Sequence, residues 1–148
     1  MPIDDWRLPS VECRVASAER LERRAMDTQE LKDRTKHFSL RVIKLVGALP
    51  NTVTGRAIGN QLVRSGTSVG ANYRAACRGR STAEFIAKLG TVEEEADESA
   101  FWMELIMDDG LLSKELVESL HREAGELTAI VAASRISASR NRAKAQRK

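Results

Sequence analysis

Residues 81–110 read STAEFIAKLGTVEEEADESAFWMELIMDDG. Within them Phe85, Leu89, Val92, Ala96, Ser99, Met103 and Ile106 recur at alternating intervals of three and four residues, the spacing that brings side chains to one face of a helix. Ser81 opens the segment and Glu84 follows three residues on, the pattern of a capping box in which a serine hydroxyl and a glutamate satisfy the first free N–H groups. Gly110 closes it, and a residue without Cβ suits the left-handed C-terminal cap. A long helix with one apolar stripe needs other helices to cover that stripe.

The same spacing appears three more times. Residues 28–49 place Leu31, Thr35, Phe38, Val42, Leu45 and Leu49 on a stripe, with Asp27 and Glu30 spaced as a capping box and Pro50 as the stop. Residues 54–78 place Ile58, Leu62, Ser65, Val69, Asn72 and Ala76 on another, unusually small and polar. Beyond Gly110, Ser113 is placed to cap a fourth helix carrying Leu116, Leu120, Leu127, Ile130 and Ser134. All three prolines, Pro2, Pro9 and Pro50, lie early, so nothing interrupts long helices downstream. Four stripes joined by short connections predict an all-α fold, an antiparallel left-handed four-helix bundle, with helices of about 20 to 28 residues and roughly 30 to 42 Å. The expected organisation is an N-terminal extension at 1–27, weakly helical or disordered; a bundle at 28–134; and a basic tail at 135–148 that continues the last helix or is disordered.

Composition agrees with one domain and an aliphatic core: 148 residues, 42% hydrophobic, 30% charged and only 4% aromatic. No stretch approaches the ~18 apolar residues of a membrane span, and the first thirty residues lack the apolar segment of a secretory signal, so a cytoplasmic protein without membrane contact is expected. Cys13 and Cys77 form no CxxC pattern and read as reduced thiols. The net charge of +3 conceals an asymmetry. Residues 135–148 carry Arg135, Arg140, Arg142, Lys144, Arg147 and Lys148 with no acid, leaving the rest of the chain slightly acidic.

Gly55, Gly59, Gly66 and Gly70 all fall in the second helix, where each internal glycine costs about 1 kcal/mol relative to alanine. Close approach of another helix backbone over Ser65, Gly66, Thr67, Ser68 and Gly70 would offset that cost through dispersion contacts. The stretch RSGTSVGAN lacks the GxxxxGKS pattern of a phosphate loop and follows a helical run. Asn72 reads as a buried polar residue that fixes helix register or oligomeric state.

From Gln61 through RSGTSVGANYRAACRGRSTAEFIAKLG to EEADESAFWMELI, the chain resembles the bacterial four-helix-bundle family of 23S ribosomal RNA intervening-sequence proteins. The resemblance covers about residues 31–112 and is carried by Arg64, Ser65, Thr67, Ser68, Gly70, Ala71 and Asn72, then Glu84, Phe85, Lys88 and Leu89, then Glu95, Glu98 and Trp102. It implies a left-handed bundle assembled into a homopentameric ring, no enzymatic activity, and a distant kinship with the nucleic-acid-associated accessory proteins of diversity-generating retroelements. The family usually has a glutamate three residues after the asparagine, where this chain has Ala75.

The residues themselves offer little chemistry. A di-iron bundle needs two ExxH pairs on separate helices; only Glu118–His121 fits, off its stripe, while His37 has Arg34 in the glutamate position. No nucleophile has a recognisable base beside it, so no catalytic residue, metal or cofactor is expected. The acids Glu93, Glu94, Glu95, Asp97 and Glu98 read as a solvated face or as partners for arginines. Trp6, Tyr73 and Trp102 read as core or interface. For nucleic acid, the candidate cations are Arg64, Arg74, Arg78, Arg80 and Lys88, with Arg140, Arg142, Lys144, Arg147 and Lys148 of the tail, since lysines and arginines neutralise phosphates and release counterions. The expected protein is a non-enzymatic homo-oligomeric scaffold that binds RNA or DNA backbone; the alternative is an adaptor that uses its small-residue helix and N-terminal segment to bind a protein partner.

Overall fold

The computed structural model describes residues 28–148; the N-terminal extension with Trp6, Cys13 and Asp27 lies outside the described residues. Four helices succeed one another: α1 (Thr28–Gly47), α2 (Val53–Cys77), α3 (Thr82–Asp108) and α4 (Lys114–Gln146). Each packs on the next, and α4 returns to α1 along a sparser contact. Short connections make sequential neighbours antiparallel, and the result is an up-down-up-down four-helix bundle.

Local chemistry explains the ends. Thr52 accepts from the Gly55 N–H at 3.0 Å, and Ser81 accepts from the Glu84 N–H at 3.1 Å. The Glu84 carboxylate reaches back to the Arg80 N–H at 2.8 Å, one residue further than the expected reciprocal bond. Gly110 has φ +70°, the left-handed conformation anticipated for it. Ser113 stands at the start of α4 but makes no side-chain cap bond. α1 stops at Gly47, and Ala48 and Leu49 form tight turns onto Leu45 and Val46 before Pro50.

The core contains Leu31, Thr35, Phe38, Val42 and Leu45 of α1, and Leu89, Val92, Ala96, Ser99, Met103 and Ile106 of α3. Two stripes differ from expectation. On α4 the buried positions are Val117, Leu120, Glu123, Ala124, Leu127 and Val131, whereas Leu116 is 61% exposed. Valine and alanine fill the stripe that packs, and the bulkier leucine lies one position off it. On α2, Tyr73 is buried while Asn72 is only half-buried, its amide donating to the Ser68 carbonyl of its own helix at 2.9 Å. α4, at 33 residues, is longer than the range expected, about 50 Å at 1.5 Å per residue.

The α2 surface facing α1 is cut away at glycines. A Cβ at Gly66 would stand 2.7 Å from both Val42 methyls, and one at Gly59 3.2 Å from Leu49 and Val46. At Gly70 it would meet the Thr35 carbonyl oxygen at 3.4 Å. Ser39, on α1, has its hydroxyl 3.0 Å from the Gly66 carbonyl, a bond across helices that needs this close approach. Gly55 has a different role, since a Cβ there would overlap the Pro50 carbonyl; it serves the α1–α2 turn. Toward α3, the Ser65 and Ser99 hydroxyls are buried 2.9 Å apart and are satisfied by the Leu62 and Glu95 carbonyls.

A basic end of the bundle as candidate nucleic-acid interface

Antiparallel packing brings the end of α2, the α2–α3 turn, the start of α3 and the end of α4 to one end of the molecule. The register of α4 on α3 places Arg135 beside Glu93, with Nε 2.7 Å from Glu93 Oε2. Counting from that pair, α3 runs back to Thr82 and α4 runs on to Gln146 over equal numbers of residues, about 16 Å each. The end of α4 therefore lies level with the start of α3.

Arg74 and Arg78 at the end of α2, Arg80 in the turn, and Arg140, Arg142, Lys144, Arg147 and Lys148 are exposed, and Lys88 is half-buried. Among the described residues no ion pair engages any of them. Among the described residues the acids near this end are Glu30, Asp33 and Glu84, and Glu84 is committed to the Arg80 backbone. Residues 140–146 are helical, so their cations stand on a rod rather than a loose chain.

Two cations read with this group stand apart. Arg135, one of the six cations of residues 135–148, is held by Glu93. Arg64 lies fourteen residues before Arg78 on the same helix, about 21 Å away. It stands beside the acidic stretch of α3, where its charge offsets part of the rise in the Glu95 pKa; that rise comes first from burial and then from Glu98 and Glu94. Arg64 thus belongs with the middle of the bundle.

The small-residue group divides in the same way. Ser65, Gly66 and Gly70 are buried inside one chain. Thr67, Ser68 and Asn72 are half-buried, and their side chains bond the carbonyls four residues back at 2.6, 2.6 and 2.9 Å.

An ion cluster between α1 and α4 joins residues far apart in the chain. Arg34 grips Glu123 through Nε at 2.7 Å and Nη2 at 2.9 Å, and Nη2 also meets Glu126 at 2.7 Å. Burial opposes the Arg34 charge, but the two carboxylates outweigh it and raise its pKa. Arg41 donates to Ser119 at 2.8 Å. His37 is held below its usual pKa by burial and by Arg41, against a smaller opposite pull from Glu123. Glu123, in a helical repeat position next to Leu120, could have been suspected; its partner Arg34 could not, because 89 residues separate them.

Glu118 is exposed, and His121 Nε2 lies 3.1 Å from Glu104 Oε1 of α3. No group of three or more potential metal ligands exists among the described residues, and no helix there is long and apolar enough to cross a membrane. Tyr73 is core; Trp102 is half-buried, edge-on to Phe101 at 5.1 Å and bonded through its indole N–H to Glu98 at 3.0 Å.

No curated protein matches the chain. Its structure is similar to that of a protein of unknown function from the S23 ribosomal protein family of Bacteroides thetaiotaomicron, with 34% sequence identity and a TM-score of 0.65, covering 68% of this chain and 94% of the other. The 23S rRNA-intervening sequence protein family matches residues 27–133, which takes in the four-helix core and the signature from Arg64 to Trp102, and the chain belongs to that family.

Proposed function

We propose that this protein is a non-enzymatic, cytoplasmic, homo-oligomeric scaffold whose basic end binds the backbone of RNA or DNA. The observation that carries the reading is the convergence of Arg74, Arg78, Arg80, Lys88 and the helical α4 terminus on one end, with no ion pair among the described residues to occupy them. Cations kept unpaired and close together form a field that attracts polyanions, and repeating the end around a ring multiplies it. The names of the family and of its structural neighbour, both ribosomal, support an RNA partner. A pentamer follows from the family resemblance, and the half-buried face of Thr67, Ser68 and Asn72 beside exposed Ala71 is the surface proposed for it.

The test is fluorescence anisotropy with single-stranded and duplex RNA and DNA over a salt series, beside light scattering after size exclusion. The expected result is an oligomer that binds at micromolar concentration, with affinity falling linearly on a log–log salt plot. Absence of salt-dependent binding to all four probes would overturn the reading. The adaptor reading would draw on exposed apolar side chains of α1, where Leu40 and Ile43 are 55% and 49% exposed. A monomer that ignores nucleic acid but retains a stoichiometric protein after nuclease treatment would favour it.

A further inference from the structure

We infer that the cleft between the start of α1 and the end of α2 is a phosphate subsite, in which Lys32, Arg74 and Arg78 take a phosphodiester of a nucleic-acid strand; this rests on the reading above. The three side chains line the cleft together with Gln29. Arg74 and Arg78 are one helical turn apart and so project from the same side of α2, while Lys32 comes from the neighbouring helix. Among the described residues no carboxylate lines the cleft; the Asp33 carboxylate accepts from the Gln29 amide at 2.9 Å.

The contrast with the structural cations is direct. Arg34 and Arg135 each hold a carboxylate at 2.7 Å, whereas no ion pair engages Lys32, Arg74 or Arg78 among the described residues. Three like charges held in one cleft repel one another until an anion enters. The C-terminal dipole of α2 tolerates cations at this position, which lets them gather before a ligand arrives. Two guanidinium groups present paired N–H donors matched to phosphate oxygens, and an ammonium adds a point charge. Among the described residues the cleft is partly open to solvent, so a continuous backbone can cross it.

The experiment compares wild type with a Lys32→Gln/Arg74→Gln/Arg78→Gln variant, a charge-conserving Lys32→Arg/Arg74→Lys/Arg78→Lys variant, and an Arg140→Gln/Arg142→Gln/Lys144→Gln/Arg147→Gln variant. Each is titrated with a short single-stranded RNA, and separately with inorganic phosphate at matched ionic strength. The cleft glutamine variant is expected to bind the RNA roughly tenfold more weakly at low salt, with a salt slope shallower by about 0.7 for each phosphate that is no longer neutralised. The charge-conserving variant should stay near wild type, and inorganic phosphate should not displace the RNA beyond a chloride control. Wild-type binding left unchanged by the cleft glutamines, but abolished in the tail variant, would overturn the subsite and leave the scaffold reading standing. Phosphate binding at the cleft without any RNA binding, or no binding of either probe, would overturn the phosphodiester assignment, whereas the scaffold reading falls only if duplex RNA and DNA also fail to bind.

Discussion

α1 meets its two neighbours by different physics. Against α2 the contact is steric: Gly59, Gly66 and Gly70 remove side chains so that Val46, Leu49, Val42 and the Thr35 backbone can come close. Against α4 the contact is electrostatic, with Arg34 bridging Glu123 and Glu126, Arg41 donating to Ser119, and His37 nearby. A glycine seam accepts no added atom, but it is indifferent to pH and salt. An ion-paired seam tolerates a change of shape, but it fails when one partner loses its charge or is removed.

The sharpest way to break the steric seam is Gly66→Val. Its methyls would enter the space of Val42, which is fully buried and stiff at χ1, and a destabilisation of about 3 kcal/mol is expected from chemical denaturation. Adding Val42→Ala should recover part of that stability in a double-mutant cycle; strict additivity would show that the two residues do not share the space. Next in size, Glu123→Ala leaves the partly buried Arg34 with Glu126 alone. A cost of about 1 to 3 kcal/mol is expected, below that of a fully buried pair because Arg34 is partly exposed.

Gly125→Ala sharpens the comparison by its sign. Nothing lies within 4 Å of a Cβ at Gly125, so the helix propensity of alanine should raise stability by about 0.5 to 1 kcal/mol, while the same change at Gly66 lowers it. The smallest effect concerns pH. His37 has a folded pKa below the ordinary 6.5, so the folded state binds this proton less readily than the unfolded chain does. Stability therefore declines as pH falls from above 6.5 toward the lower folded value. Melting curves of wild type should fall more steeply over that interval than those of His37→Gln; parallel curves would remove His37 from the account.

Much of the fold was legible because helical spacing is a local property. The α3 stripe from Leu89 to Ile106 and the Ser81 and Gly110 caps could be read from thirty residues. On α4 the expected stripe shares Leu120 and Leu127 with the core, while packing selects Val117, Ala124 and Val131 over Leu116, Ile130 and Ser134. On the small, polar α2 the expected place of Asn72 in the core is taken by its neighbour Tyr73, with Asn72 half-buried beside it. The candidate site was legible only as a set of cations. That Arg64 stands apart, that Arg135 is occupied, and that Lys32 joins Arg74 and Arg78 depend on which helix lies beside which.

The sequence by itself determined four amphipathic helices, their order, a glycine-rich second helix, membership in a recognisable family and a concentration of positive charge near the C-terminus, because each follows from residues close together in the chain. Only the tertiary structure decided which cations are spent on stability and which share an end. Ion pairs such as Arg34–Glu123 and Arg135–Glu93, and clefts such as the one at Lys32, join residues separated by some forty to ninety positions. Coulomb interactions depend on distance in space, and the antiparallel register of four helices sets that distance.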